Sequence, residues 1–166
     1  MSETYSGGCQ CGAVRYELLR KPDGAHICHC RMCQKAFGNF FASLTGVPRD
    51  KFKLTRGDVA YFYSSVEIRR GFCRDCGTPL TFEDLTEDRV SVSIGSLDRH
   101  SDFKPEAQYG LESREPWFNE LATVPTFVSG EGAEGVTPYA ARLPGIAATN
   151  RQHPDHDTRN WPIKRK

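Results

Sequence analysis

The sequence predicts a mainly β domain with antiparallel sheets and few short helices, held together in part by its cysteines. Three observations predict it. Apolar and polar residues alternate with period two in several short stretches. Glycine, proline and acidic pairs punctuate those stretches at close intervals. The seven cysteines fall into three tight groups.

The elements follow in chain order. After Gly12, the side chains of Val14, Tyr16 and Leu18 fall on one face of an extended chain, with Arg15 and Glu17 opposite. Further strand-like stretches are expected at Phe40 to Leu44, Phe52 to Thr55, Val59 to Ser64, Ile68 to Phe72, Leu80 to Phe82 and Arg89 to Gly95. Gly46, Pro48, Gly57 and the Glu87-Asp88 pair mark the turns between them. A short helix is expected around Arg31 to Phe37, and one or two helical turns around Glu115 to Leu121. The aromatic run Tyr61, Phe62 and Tyr63 reads as sheet packing. There is no internal repeat and no heptad, and the order of elements is that of an antiparallel β domain.

The domain is expected to span residues 1–127. Residues 128–166 read as a tail, partly ordered or packed on the domain through Tyr139, Leu143, Ile146 or Trp161. Ser129 to Gly135 is rich in Gly and Glu, and roughly 40 residues are too few for a second core without a staple. His153-Pro154-Asp155-His156-Asp157 reads as a solvated run with at most weak affinity for a metal.

Charge excludes some functions. With 22 basic and 21 acidic residues the net charge is +1, which leaves no broad cationic face for nucleic acid or acidic lipid. No apolar run approaches the roughly 20 residues that span a bilayer. Met-Ser-Glu-Thr-Tyr has neither a basic nor an apolar leader segment, so a cytoplasmic location is expected. In a reducing compartment, an odd number of cysteines points to metal binding rather than to disulfides.

The spacing of the cysteines divides them four and three. Cys9-Gln10-Cys11-Gly12 and Cys73-Arg74-Asp75-Cys76-Gly77 are short-spaced pairs, each ending in a glycine that permits positive φ. A C-x-C pair in an extended chain presents both sulfurs on one face, and a C-x-x-C pair does so by folding back in a turn. Together Cys9, Cys11, Cys73 and Cys76 make a complete tetrahedral thiolate set, the ligand set of a structural zinc. Buried core cysteines without a metal are the competing reading, which the matched glycines disfavour. Cys28, Cys30 and Cys33 remain, packed in one segment. Three ligands leave the fourth zinc position to water, to a substrate thiol or to a side chain from elsewhere. His29 would point away from the sulfurs, whereas His26 would share the face of Cys28, so a closed site of three cysteines and His26 stays open as an alternative. A zinc dication with three thiolates carries about −1, a poor activator of water and a better holder of a fourth thiolate. Sulfur chemistry is therefore expected before hydrolysis.

The runs Gly7 to Tyr16, Cys28 to Cys33 and Phe72 to Leu80 resemble the glutathione-dependent formaldehyde-activating enzyme family, also called the Gfa or centromere-protein-V family. Gly95-Ser96-Leu97-Asp98, Trp117 and Val124-Pro125-Thr126-Phe127 are similar to it as well, and the resemblance covers roughly residues 3–127. It implies a β-tent fold, a structural zinc on Cys9, Cys11, Cys73 and Cys76, and a second, catalytic-type zinc on Cys28, Cys30 and Cys33. The implied reaction is addition of the glutathione thiol to formaldehyde to give S-hydroxymethylglutathione, formally that of a carbon–sulfur lyase. One departure concerns Pro105-Glu106-Ala107-Gln108: many members carry a histidine where Gln108 stands, and glutamine cannot titrate.

Arg31 and Lys35 are candidate ligands for the carboxylates of a glutathione-like thiol, or ordinary solvated charges. Arg69-Arg70 reads as a strand end with one residue in and one out, or as an anion contact. The competing function class is a non-catalytic, zinc-stabilised module that binds protein partners.

Overall fold

The computed structural model describes residues 3–127 and 140–161. Tyr139 and the Ser129 to Gly135 run lie outside the described residues. The chain divides into two compact units. One holds the described residues up to Arg114 and those from Gln152 onward; the other holds the described residues of Glu115–Arg151.

The larger unit is built from two sheets. The smaller sheet has the order β1-β2-β5, formed by β1 (Tyr5–Gly8), β2 (Arg15–Leu18) and β5 (Phe52–Arg56). The larger sheet adds β3 (Asp23–Cys28), β4 (Ala42–Pro48), β6 (Ala60–Tyr63), β7 (Ile68–Phe72), β8 (Pro79–Asp84), β9 (Arg89–Ser93) and β10 (Ala107–Tyr109). Its order is β10-β3-β4-β9-β8-β7-β6. All pairings are antiparallel except that of β10 with β3, which is parallel and sets Tyr109 beside Cys28. A seven-residue helix, α1 (Arg31–Phe37), follows β3 directly. The fold is thus mainly β with few helices, as the alternation predicts.

The alternation after Gly12 has its expected physical consequence. Val14, Tyr16 and Leu18 are buried, and they pack with Tyr5, Val47, Leu80, Val92 and Phe103 into a core drawn from both sheets. Arg15 departs from expectation. It lies on the opposite face yet is only 2% exposed, because Asp98 and Asp157 close over its guanidinium.

Two other expectations need correction. The sheet packing expected of Tyr61, Phe62 and Tyr63 holds for Tyr61 alone, whose ring lies under the Arg69 guanidinium of β7; on the edge strand β6, Phe62 and Tyr63 are 63% and 60% exposed. The His153 to Asp157 run is not simply solvated. The backbone N–H of His153 donates to Gln10 O at 2.7 Å, and its ring is buried against Trp161. Ion pairing and main-chain hydrogen bonds dock this polar segment where apolar content could not.

The smaller unit contains a 3-10 turn at Phe118–Thr123, a second at Ala140–Arg142, and α2 (Leu143–Thr149), which carries Pro144 in its first turn. No helix among the described residues is long and apolar enough to cross a membrane.

Candidate metal centres

None of the seven cysteines is in a disulfide. Their sulfurs gather into two groups: Cys9, Cys11, Cys73 and Cys76 in one, and Cys28, Cys30 and Cys33 in the other. Within each group every sulfur lies within 4.8 Å of the rest.

The first group joins two turns. Cys9 follows the hairpin strand β1, and Cys73 follows β7. Each opens a turn closed by an equivalent bond: Cys9 N–H donates to Val14 O, and Cys73 N–H to Thr78 O, both at 3.0 Å. Gly12 and Gly77 follow with φ of 73° and 76°, the left-handed conformation their positions call for. Cys9 to Gly12 is therefore a tight turn, not the extended C-x-C segment expected from the spacing, since the Gly12 N–H reaches back to Cys9 O at 3.0 Å. The turn brings Cys9 Sγ to 3.6 Å from Cys11 Sγ, and Cys11 Sγ lies 3.8 Å from Cys73 Sγ. A zinc–sulfur bond of 2.3 Å in a tetrahedron gives an edge of about 3.8 Å, so these sulfurs fit that ion.

Polar groups of the turns serve the sulfurs. Val14 N–H donates to Cys9 Sγ at 3.2 Å. The Thr78 hydroxyl accepts from Gln10 N–H at 3.0 Å and contacts Cys76 Sγ at 3.1 Å, linking the two turns. Burial pushes the Cys9 thiol far up. Burial acts the same way on Cys76, but Thr78 and backbone N–H groups outweigh it and hold that thiol down to about 6.

The second group is built by a strand entering a helix. Cys28 ends β3, Cys30 caps α1 by accepting from Cys33 N–H at 3.4 Å, and Cys33 lies in the first helical turn. Cys33 is buried, while Cys28 and Cys30 are half-buried. They share a small core with Ala42, Leu44, Phe37 and Phe82. The backbone of Gly110, at the end of β10, presses on this segment: a Cβ there would sit 2.6 Å from Cys30 N. Burial pushes the Cys33 thiol up to about 12. For Cys30 burial is again the largest influence, yet the Cys33 N–H, the neighbouring sulfurs and the Arg70 charge together bring its thiol below the ordinary value. Each group therefore contains one sulfur that releases its proton most readily.

The surrounding residues distribute as follows. His26 is not in the sulfur group; its Nδ1–H donates to Gly24 O at 2.8 Å, and its ring meets Tyr109 edge-on. His29 is not in the sulfur group either; it is fully buried and donates from Nε2 to Gln108 Oε1 at 2.9 Å. Gln108 thus contacts an imidazole without being one. Arg31 and Lys35 are exposed one helical turn apart on α1, and Arg31 Nη1 donates to Gln34 Oε1 at 3.0 Å. Arg69 pairs with buried Glu83, whereas Arg70 is 7% exposed and aims both terminal nitrogens at Cys33 Sγ, each at 3.7 Å.

The profile of the glutathione-dependent formaldehyde-activating enzyme family matches residues 4–113, the stretch that contains both cysteine groups. The chain belongs to this family. A Colletotrichum graminicola protein assigned by name to the glutathione-dependent formaldehyde-activating enzymes is 31% identical over 80 residues, 44% of this chain and 42% of its own length. A Phaeosphaeria nodorum protein of the same name is 33% identical over 85 residues, 47% of this chain and 45% of its own. An uncharacterized lyase of Schizosaccharomyces pombe is 27% identical over 78 residues, 47% of this chain and 56% of its own. The chain spans about half the length of these curated relatives. A crystal structure of a Rhodobacter sphaeroides protein shares the fold, with a TM-score of 0.51 at 22% identity over 62% of this chain and 98% of that one. In this chain the matched stretch holds two cysteine groups of different size, one of four sulfurs and one of three.

Proposed function

We propose that the chain is a zinc-dependent enzyme of carbon–sulfur lyase type. It forms the adduct of glutathione, or a similar thiol, with formaldehyde or another small electrophile. The observation that carries this reading is the three-sulfur group, in which Cys28 and Cys30 are half-buried and Cys33 is buried. Three sulfurs are one short of a closed tetrahedron, in contrast to the four beside them.

Zinc held there would supply a position that favours a thiol in its ionised, nucleophilic form. Cys28, Cys30 and Cys33 hold the ion from one side, and the exposure of Cys28 and Cys30 leaves the approach on theirs. Arg31 and Lys35, exposed on α1, are proposed to meet the carboxylates of the incoming thiol. In the bond-forming step the thiolate sulfur donates its pair to the formaldehyde carbon. The carbonyl π pair moves to oxygen, which takes a proton from solvent. No electrons are gained or lost overall. The reading places the chain in a reducing cytoplasm, where seven free cysteines stay reduced.

Zinc K-edge absorption tests it. Averaged over both zincs, the sulfur count is expected to rise from about 3.5 to about 4 per ion at saturating glutathione. An unchanged count sinks the reading. A second reading, a zinc-stabilised module for protein partners, draws on the exposed aromatics Phe62 and Tyr63 of the edge strand. It predicts a stoichiometric partner in pull-down and no change at either zinc with thiol.

A further inference from the structure

Arg70 is a charged residue inside a strand, and it is 7% exposed. Such a burial is unfavourable in general unless the charge is matched. The usual match would be a carboxylate, but the nearby Glu83 is taken by Arg49 and Arg69. What the Arg70 guanidinium meets instead is sulfur: Nη1 and Nη2 both donate to Cys33 Sγ, each at 3.7 Å. The rest of the group is fixed. Its Nε donates to Ser64 Oγ at 3.2 Å, and its Cζ lies 5.1 Å from the centroid of the Phe82 ring. Three different contacts thus aim one guanidinium at one atom, the most buried sulfur of the three-cysteine group.

We infer that Arg70 is the resident counter-cation of the three-thiolate centre, a positioning residue that acts through Cys33. The inference rests on the metal-binding part of the function proposed above. Three thiolates around a dication carry about −1, and a buried group of that charge is poorly tolerated alone. One guanidinium in contact with the cluster brings the sum to zero. Adding a fourth, anionic sulfur then takes the assembly to −1 rather than −2. Arg70 therefore stabilises the loaded centre and makes an anionic thiol acceptable beside it. The paired N–H geometry also holds Cys33 Sγ in one position, which a lysine would do with a single, less directed group. The closed four-cysteine site has no equivalent cation on its sulfurs among the described residues; Thr78 and backbone N–H groups serve it instead.

The test compares Arg70→Met and Arg70→Lys with the native full chain loaded with zinc. Release of each zinc to a chelating dye is followed at neutral pH, with circular dichroism as the check on folding. Arg70→Met is expected to release the second zinc at least tenfold faster, in line with the roughly 10–100-fold effect of outer-shell partners, while the first is unaffected. Arg70→Lys, which keeps the charge, is expected to recover most of the difference. Glutathione affinity at the second zinc, read by X-ray absorption, is expected to fall in the same order. A folded Arg70→Met protein that holds its second zinc as long as the native one overturns the inference. If Arg70→Met does not fold, Ser64→Ala loosens the same guanidinium without removing charge. It should speed release of the second zinc alone, by less than Arg70→Met does, and no change there overturns the inference. A native protein whose zinc ignores glutathione refutes the proposed reaction, but the zinc-release comparison still decides the role of Arg70.

Discussion

Arg15 shows what one buried charge needs in this protein. Its Nη1 and Nη2 reach the two oxygens of Asp98 at 2.8 and 2.5 Å, and the Ser6 hydroxyl donates to the same carboxylate at 2.5 Å. Burial alone would raise the Asp98 carboxyl, but these partners hold it below the usual carboxylate range. Its contribution to stability is thus complete above the ordinary aspartate pKa of about 3.9 and is lost as pH falls through the lower native value. Asp98→Asn removes the buried partner, the side chains of that pair being only 3% and 7% exposed, and leaves the guanidinium to the half-exposed Asp157. It is expected to lower the unfolding free energy in urea by about 3 kcal/mol at neutral pH. It should also flatten the acid limb of the stability curve. A difference from the native protein that persists undiminished at pH 2 would refute this account. Residues of this kind are hard to find in a sequence. Arg15 alternates with apolar neighbours and so looks solvent-facing, while the Arg69-Arg70 pair allows one residue in and one out without saying which. Only the approach of Asp98 to one and Cys33 to the other reveals them. The cysteines are different, because short spacings fix where sulfurs can go before any distant contact forms.

At the scale of elements, β2 and β7 are legible because alternation or β-branched content survives within them, and α1 because it is bounded by Cys30 and Gly38. β1 and β3 are not. Tyr5–Gly8 ends in two glycines and Asp23–Cys28 begins with an Asp-Gly pair, which are weak strand formers. Pairing with β2 and β4 makes them strands. β10 is only three residues long, but it delivers Gly110 to the Cys30 backbone. Gly110→Ala must push that segment aside and also strains a φ of 69°. It is expected to deplete the second metal while leaving far-UV circular dichroism unchanged, as measured by elemental analysis of the purified variant. Equal loss of both metals would place the damage elsewhere. The segment from Gln152 to Trp161 is a second case. Asp157 pairs with Arg15, Arg56 donates to the Thr158 carbonyl, and the Trp161 indole donates to the Cys11 carbonyl. Truncation after Arg151 is expected to lower the melting temperature and to expose Arg15. An unaltered melting temperature would mean that the segment contributes nothing.

At the scale of the whole larger unit, the four-cysteine group bridges its two sheets. Cys9 and Cys11 belong to the turn of the smaller sheet, and Cys73 and Cys76 to a turn of the larger. The three-cysteine group lies within one sheet and the helix that follows it. Graded chelation is therefore expected to proceed in two stages. Two zincs per chain are expected at the start. The first to leave should come from Cys28, Cys30 and Cys33 with little change in near-UV circular dichroism. The second should leave together with cooperative loss of tertiary structure. A single zinc per chain that survives mild chelation would contradict this order.

The two groups also differ in how much chain each must wait for. Cys28, Cys30 and Cys33 lie in one short run, whereas Cys11 and Cys73 are 62 positions apart. At a synthesis rate of about 5–20 residues per second, the local trio is complete some seconds before Cys76 leaves the ribosome. A nascent chain that binds zinc as proposed would thus meet its first metal at the site that does not hold the sheets together. An ion joining them would be captured later, by a chain already competing for the same supply. Under metal scarcity, newly made protein would be expected to fail in assembly, with its sheets unjoined, before older molecules lose their fold.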